Sequence, residues 1–106
     1  MAEREQINLG EVTITKGIIM ESGATLTSAE ALKVTGTTAS GVTVLLKDGD
    51  GNALLAKGAT VPSDAGTGYA KGCLFIDTDA TTVATVLFVN VGSASSCNFD
   101  AAIGAS

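Results

Sequence analysis

The chain of 106 residues contains no histidine and no tryptophan, and it has only one proline and two cysteines. Histidine is the usual general base near neutral pH and the commonest metal ligand, so its absence removes every Ser-His and Cys-His nucleophile pair. Two cysteines cannot build a four-cysteine zinc site. Because no other catalytic motif is present, we expect a protein that is not an enzyme and that carries no cofactor and no metal.

Positive charge is also scarce, since six Lys and Arg stand against 11 Asp and Glu and give a formal net charge of −5. Nucleic acids and anionic membranes both require a basic surface, so neither is an expected partner. Residues 1–10 lack the apolar region of a secretion signal, and the longest apolar stretch, Val86–Val89, is too short to span a bilayer. We therefore expect a soluble protein made in the cytoplasm.

The two cysteines, Cys73 and Cys97, fall in two predicted strands. A disulfide is compatible with an oxidising compartment. The missing secretion signal favours two reduced thiols that are buried as small hydrophobic side chains.

What the chain does contain is a series of short apolar and β-branched runs separated by Gly, Asp, Ser and Thr. These runs predict β-strands and turns. Residues 27–35 fit a single helical turn or a strand equally well. We predict an all-β fold: one compact domain of about seven short strands over residues 11–106, a sandwich or small barrel, after an extended N-terminal arm, residues 1–10. The predicted strands and hairpin are Glu11–Met20 (one or two strands), the hairpin 41–57, Tyr69–Asp77, Val83–Val91 and Cys97–Ile103.

The spacing Asp48-x-Asp50-x-Asn52 resembles the first half of a calcium loop. The resemblance then ends, because Ala53 and Ala59 stand where the loop needs Gly and a bidentate Glu. A β-turn explains the same residues without a metal ion.

Several predicted strands are apolar on both faces, although a small domain exposes much of its surface. Self-association would cover the excess apolar surface. The residues that we expect in the core or in a subunit contact are Phe75, Leu87, Phe88, Val89 and Phe99.

The C-terminal half carries a resemblance in three stretches: residues 68–79 (GYAKGCLFIDTD), 87–92 (LFVNVG) and 95–99 (SSCNF). These stretches, and the approach to them in residues 54–60, resemble a module of small virion structural proteins of tailed phages, particularly capsid decoration and other head-associated proteins. Phe88 stands where that pattern has tyrosine. The N-terminal half shows no comparable resemblance.

The resemblance implies a bacteriophage capsid decoration (cement) protein, a homotrimer that binds the major capsid protein on the virion surface and stabilises the head. Residues of the N-terminal arm would bind the capsid, namely Glu3, Arg4, Ile7 and Leu9. The alternative is a receptor- or glycan-binding module of a head or tail fibre. Its binding surface would combine the Gly58–Gly68 loop with the Asp48–Asn52 tip.

Overall fold

A computed structural model of the chain describes residues 13–27 and 30–103. The chain divides into two units, Met1–Leu32 and Lys33–Ser106. Every strand of the described residues lies in the second unit. The strands are β1 Thr37–Ala39, β2 Val42–Lys47, β3 Ala53–Gly58, β4 Tyr69–Asp77, β5 Leu87–Asn90 and β6 Phe99–Ala101. A short 3₁₀ helix, Val83–Thr85, precedes β5. Within the described residues, no helix is long and apolar enough to cross a membrane.

The six strands form one mixed sheet in sequence order, with β1 and β6 at its edges. Neighbouring strands are antiparallel except β3 and β4, which run parallel. Antiparallel neighbours can be joined by tight turns, whereas a parallel pair requires a longer crossover connection. Residues 59–68, which include Pro62, form this crossover. The prediction of an all-β domain is confirmed.

The hairpin of β2 and β3 closes through the side chain of Asp48. Its carboxylate oxygen Oδ1 accepts the backbone N–H groups of Asp50 and Asn52, each at 2.9 Å. Gly51 adopts the positive φ of 86° that the turn requires. The predicted hairpin is confirmed. The Asp48 carboxylate accepts hydrogen bonds from backbone N–H groups of the turn.

The inner face of the sheet holds the core. Its buried cluster consists of Ala53, Ala56, Cys73, Phe75, Cys97 and Phe99. The Phe99 ring meets Tyr69 and Phe75 edge to face, with ring centroids 5.2 and 5.9 Å apart. The crossover covers this face, because Ala65 donates to the Cys97 carbonyl and Cys97 donates to the Gly66 carbonyl. Among the described residues, connecting segments rather than a second sheet therefore form the second layer.

Three of the predicted strands differ from the structure. The described part of Glu11–Met20 contains no strand, since a β-branched run forms a strand only when it packs against neighbours. Val83–Val91 is a strand only in β5, because its first residues form the 3₁₀ helix. The strand expected over Cys97–Ile103 shortens to β6. Between residues 30 and 36 there is neither helix nor strand.

Candidate interaction surfaces

The outer face of the sheet, opposite the core, carries two rows of side chains in register. Phe75 points inward and is fully buried, so its neighbours Leu74 and Ile76 point outward. The first row consists of Leu46, Leu55, Leu74, Val89 and Asp100. The second row consists of Thr43, Lys57, Ile76 and Leu87. This outer face is thus mainly aliphatic, with one cation and one anion.

Much of the outer face is open to solvent. Leu46 is 54% exposed and Leu74 is 41% exposed, while Leu55 and Ile76 are half-buried. Parallel strand pairs are normally covered on both faces by other parts of the protein. Within the second unit, only the inner face of the parallel pair of β3 and β4 is covered, so the outer face is a candidate interaction surface.

A second apolar surface lies in the first unit, in the N-terminal segment, residues 13–27. This segment contains no helix and no strand. Its aliphatic side chains and one methionine are nevertheless exposed: Ile14 50%, Ile18 69%, Ile19 97%, Met20 46% and Leu26 71%. Single exposed apolar residues are ordinary on protein surfaces, but such a series makes this segment a candidate interaction surface.

An open hollow of about 680 Å³ lies between the hairpin tip and residues 92–96. Its polar lining includes Asp48, Asp50, Asn52, Lys71, Ser93 and Ser96. The buried side chain of Asn90 holds the nearby loop, since its Oδ1 accepts the backbone N–H groups of Gly92 and Asn98. The hollow has the donors and acceptors to bind a polar ligand, and no aromatic side chain lines it.

The thiols lie in the core and do not form a reactive site. Cys73 and Cys97 are free and buried. Burial, together with the nearby Cys97, raises the pKa of Cys73 to about 11. The Cys97 thiol donates to the carbonyl of Ser63 at 3.2 Å. A thiol is a poor nucleophile compared with a thiolate, so Cys73 is inert at neutral pH.

The structure separates the residues that we expected in the core or in a subunit contact. Phe75 and Phe99 are buried in the core, and Phe88 packs against it from β5. Leu87 and Val89 belong to the rows of the outer face. The predicted capsid-binding residues all lie outside the described residues: Glu3, Arg4, Ile7 and Leu9.

The alternative binding surface would combine the Gly58–Gly68 loop with the Asp48–Asn52 tip. The structure brings only part of these two segments together. Ala53, which follows the hairpin tip, donates its backbone N–H to the carbonyl of Gly68 at 2.8 Å. The open hollow of about 680 Å³ joins the tip to residues 92–96 instead of to this loop.

The sequence predicted apolar strand faces that self-association would cover, but it did not predict which residues form the outer face. It did not predict the N-terminal segment as a surface. The apolar run Ile18-Ile19-Met20, between Lys16 and Glu21, was the sequence signal for the N-terminal segment. The outer face depends on strand register, which local sequence does not show.

No protein-family model, curated protein or solved structure that was compared with this chain matches it.

Proposed function

We propose that the protein is a capsid decoration (cement) protein that binds the outer surface of a virus head as a homo-oligomer and stabilises it. The exposed apolar side chains of the N-terminal segment carry this proposal. A segment that lacks regular structure is normally polar, because exposed aliphatic groups cost free energy in water. Exposed apolar side chains in a segment without helix or strand are expected of a region that becomes ordered on a partner.

The expected contact energy is sufficient for such a role. Covering one isoleucine side chain contributes about 1.5–3 kcal/mol. Ile18 and Ile19 are 69% and 97% exposed, so covering both contributes several times the thermal energy. Ordering of the segment offsets part of this gain. Attachment of several subunits at once makes modest single contacts cumulative, which suits a repeated shell.

The proposed partners are the major capsid protein and further copies of this chain, in a trimer. Within this proposal, Glu3, Arg4, Ile7 and Leu9 contact the capsid. Backbone pairing of an extended arm with the capsid protein supplies affinity, and the alternate side chains supply specificity. The protein would reside on the capsid surface after synthesis in the host cytoplasm, and it would not be a catalyst.

The test is co-sedimentation of the full chain with undecorated capsids of the virus that encodes it. The double variant Ile7→Asp/Leu9→Asp should reduce capsid occupancy at least about tenfold, because carboxylates replace apolar contacts. Val83→Asp is the control, since Val83 lies on the 3₁₀ helix and is 69% exposed. Equal occupancy of the arm variant and the control would contradict the role of the arm.

The polar hollow beside the hairpin tip favours a second candidate, a receptor- or glycan-binding module. In that case Asp50→Ala should abolish binding of the protein to host cells or to a glycan array. Asp79→Ala, an exposed residue in the turn after β4 that does not line the hollow, is the matched control. Unchanged adsorption by the Asp50 variant would count against this candidate.

A further inference from the structure

We infer that Asp50, at the tip of the β2–β3 hairpin, is a site of spontaneous isomerisation to isoaspartate through a succinimide. The inference concerns covalent chemistry of the chain itself, so it is independent of the proposed function and of any partner. Aspartate is followed by glycine twice in the chain, as Asp48-Gly49 and Asp50-Gly51, and both pairs lie in this turn. The structure distinguishes the two pairs and favours the reaction at the second.

The reaction joins two groups of neighbouring residues. The backbone nitrogen of Gly51 attacks the side-chain carbon Cγ of Asp50. A C–N bond forms while the nitrogen loses its proton and Cγ loses its hydroxyl group, so water leaves and a succinimide ring remains. Water then opens the ring at either carbonyl. Cleavage of the new bond restores aspartate, whereas cleavage of the original peptide bond leaves isoaspartate, so the net reaction needs no oxidant, reductant or further reactant.

The surroundings of the Gly51 peptide group are open. Glycine has no Cβ that would crowd the attacking nitrogen. A Cβ built at Gly51 would meet no atom within 4 Å, and both Asp50 and Gly51 are exposed. The Asp50 side chain and a water molecule can therefore reach the reacting peptide group.

Hydrogen bonds restrain the Asp48 carboxylate and leave that of Asp50 free. Asp48 Oδ1 accepts the backbone N–H groups of Asp50 and Asn52, each at 2.9 Å. Rotation of this carboxylate toward the Gly49 nitrogen would break both bonds. The Asp50 side chain has no hydrogen bond or ion pair within the described residues, so its rotation carries no such cost. Asp50 is therefore the more reactive of the two aspartates.

The Gly51 nitrogen itself is held by one bond of the turn. Its N–H donates to the Asp48 carbonyl at 3.1 Å, a longer distance than in the neighbouring bonds to Asp48 Oδ1. Solvent-exposed backbone hydrogen bonds in turns open locally at a small cost in free energy. Opening of this bond frees the nitrogen, so the reaction depends on local opening of the tip and does not require unfolding of the sheet.

Isomerisation would change both the turn and the polar hollow. The main chain gains one carbon atom at residue 50, because the peptide link then runs through Cβ and Cγ. The added atom lies between Asp48 and two of its donors, the N–H groups of Gly51 and Asn52. The carboxylate moves to Cα in a residue that lines the hollow. We therefore expect a looser tip and an altered hollow in the modified protein.

The first test is prolonged incubation of the full chain at physiological temperature and neutral pH, followed by trypsin digestion and electron-transfer dissociation. Trypsin releases residues 48–57 as one peptide, in which the fragment ions locate isoaspartate. We expect at least about tenfold more isoaspartate at residue 50 than at residue 79, because Asp79 precedes Ala80 and not glycine. Isomerisation leaves the mass unchanged, which distinguishes it from deamidation of Asn52.

Asp79 is a matched control because its turn is built in the same way. Asp77 Oδ1 accepts the N–H of Asp79 at 3.0 Å, and the Asp77 carbonyl accepts that of Ala80 at 3.2 Å. The second aspartate of this turn is followed by alanine. No isoaspartate at residue 50, equal amounts at residues 50 and 79, or more at residue 48 than at residue 50 would overturn the inference.

The second test uses Asp48→Ala, which removes the acceptor of the N–H groups on either side of the reacting pair. Isomerisation at Asp50 should become about fivefold faster, the factor expected from the loss of one hydrogen bond of the turn. Asp77→Ala, the matched control, should leave the rate at Asp50 unchanged. Asp50→Glu keeps the charge but requires a larger ring, so it should suppress the modification. Equal rates in the Asp48 and Asp77 variants, or an isomer that persists in Asp50→Glu, would contradict the mechanism.

Discussion

Asn90 organises the end of the sheet, and its replacement gives a direct test of the fold. Its side chain is 1% exposed. The amide Nδ2 donates to the carbonyls of Tyr69 and Ala70, each at 3.0 Å. The oxygen Oδ1 accepts from the backbone N–H of Gly92 at 2.9 Å and of Asn98 at 2.8 Å. One side chain thus joins β4, β5 and the loop between β5 and β6.

The loss caused by Asn90→Ala follows from the groups that it leaves without partners. The backbone N–H groups of Gly92 and Asn98 lose their acceptor in a part-buried loop, and each lost hydrogen bond of this kind costs about 1 kcal/mol. With the cavity included, the free energy of unfolding should fall by about 2–5 kcal/mol, a large share of the stability of a small domain. The melting temperature should fall by at least about 8 °C.

Urea denaturation followed by circular dichroism measures this loss. Asn98→Ala is the matched control, because the Asn98 side chain is exposed and its backbone N–H remains to bind Asn90. Asn90→Asp should be less stable at pH 7 than near about pH 4, where the protonated acid can donate again. A loss below about 1 kcal/mol for Asn90→Ala would refute the role assigned to this side chain.

Three further changes test other parts of the structure by the same denaturation assay. Gly36→Ala should destabilise the domain by about 1–3 kcal/mol more than Gly41→Ala. Both glycines have positive φ, but only at Gly36 would a Cβ lie 2.4 Å from a carbonyl oxygen, and equal losses would contradict this. Phe75→Ala should cost about 3–5 kcal/mol, because Phe75 is fully buried, and a loss near zero would contradict its place in the core. The pKa of Cys73 rises from 9.0 to about 11 on folding. The unfolded thiol therefore loses its proton first, and stability that is present below pH 9 should decline toward pH 11. Cys73→Ala should reduce this decline, and an identical pH profile would contradict the shift.

Local patterns were sufficient to predict several elements. Alternating residues around the Asp48–Asn52 turn identified the hairpin, and the bounds predicted for Tyr69–Asp77 are those of β4. The two faces of β4 also follow the sequence, with Cys73 and Phe75 inward. In each case the information lies within a few neighbouring residues, so no distant contact has to be known.

Other elements depend on contacts that a single sequence does not display. The parallel pairing of β3 and β4 is set by the crossover and by packing over the core. Before β5, the hydroxyl group of Thr82, which precedes the 3₁₀ helix, forms a hydrogen bond at 2.8 Å with that of Thr85 at the end of the helix. The β-branched composition there had predicted a strand. Side-chain bonds to nearby groups compete with strand pairing in such segments.

The candidate surfaces were harder to predict than the fold. The outer face exists because Leu55, Leu74 and Val89 align across three strands, and this register is a property of the assembled sheet. The exposed run at Ile18–Met20 has the composition of a strand. Exposure in the structure, rather than composition, makes it a candidate interaction surface.

The proposed cement role is tested by binding of the purified full chain to undecorated capsids of the virus to which the proposal assigns it. The mass of the free protein is measured by light scattering, and the bound amount is measured by co-sedimentation over a concentration series. We expect a trimer that binds saturably and raises the temperature at which the capsids disrupt. Absence of co-sedimentation at every concentration, with no change in capsid stability, would contradict the proposed cement role.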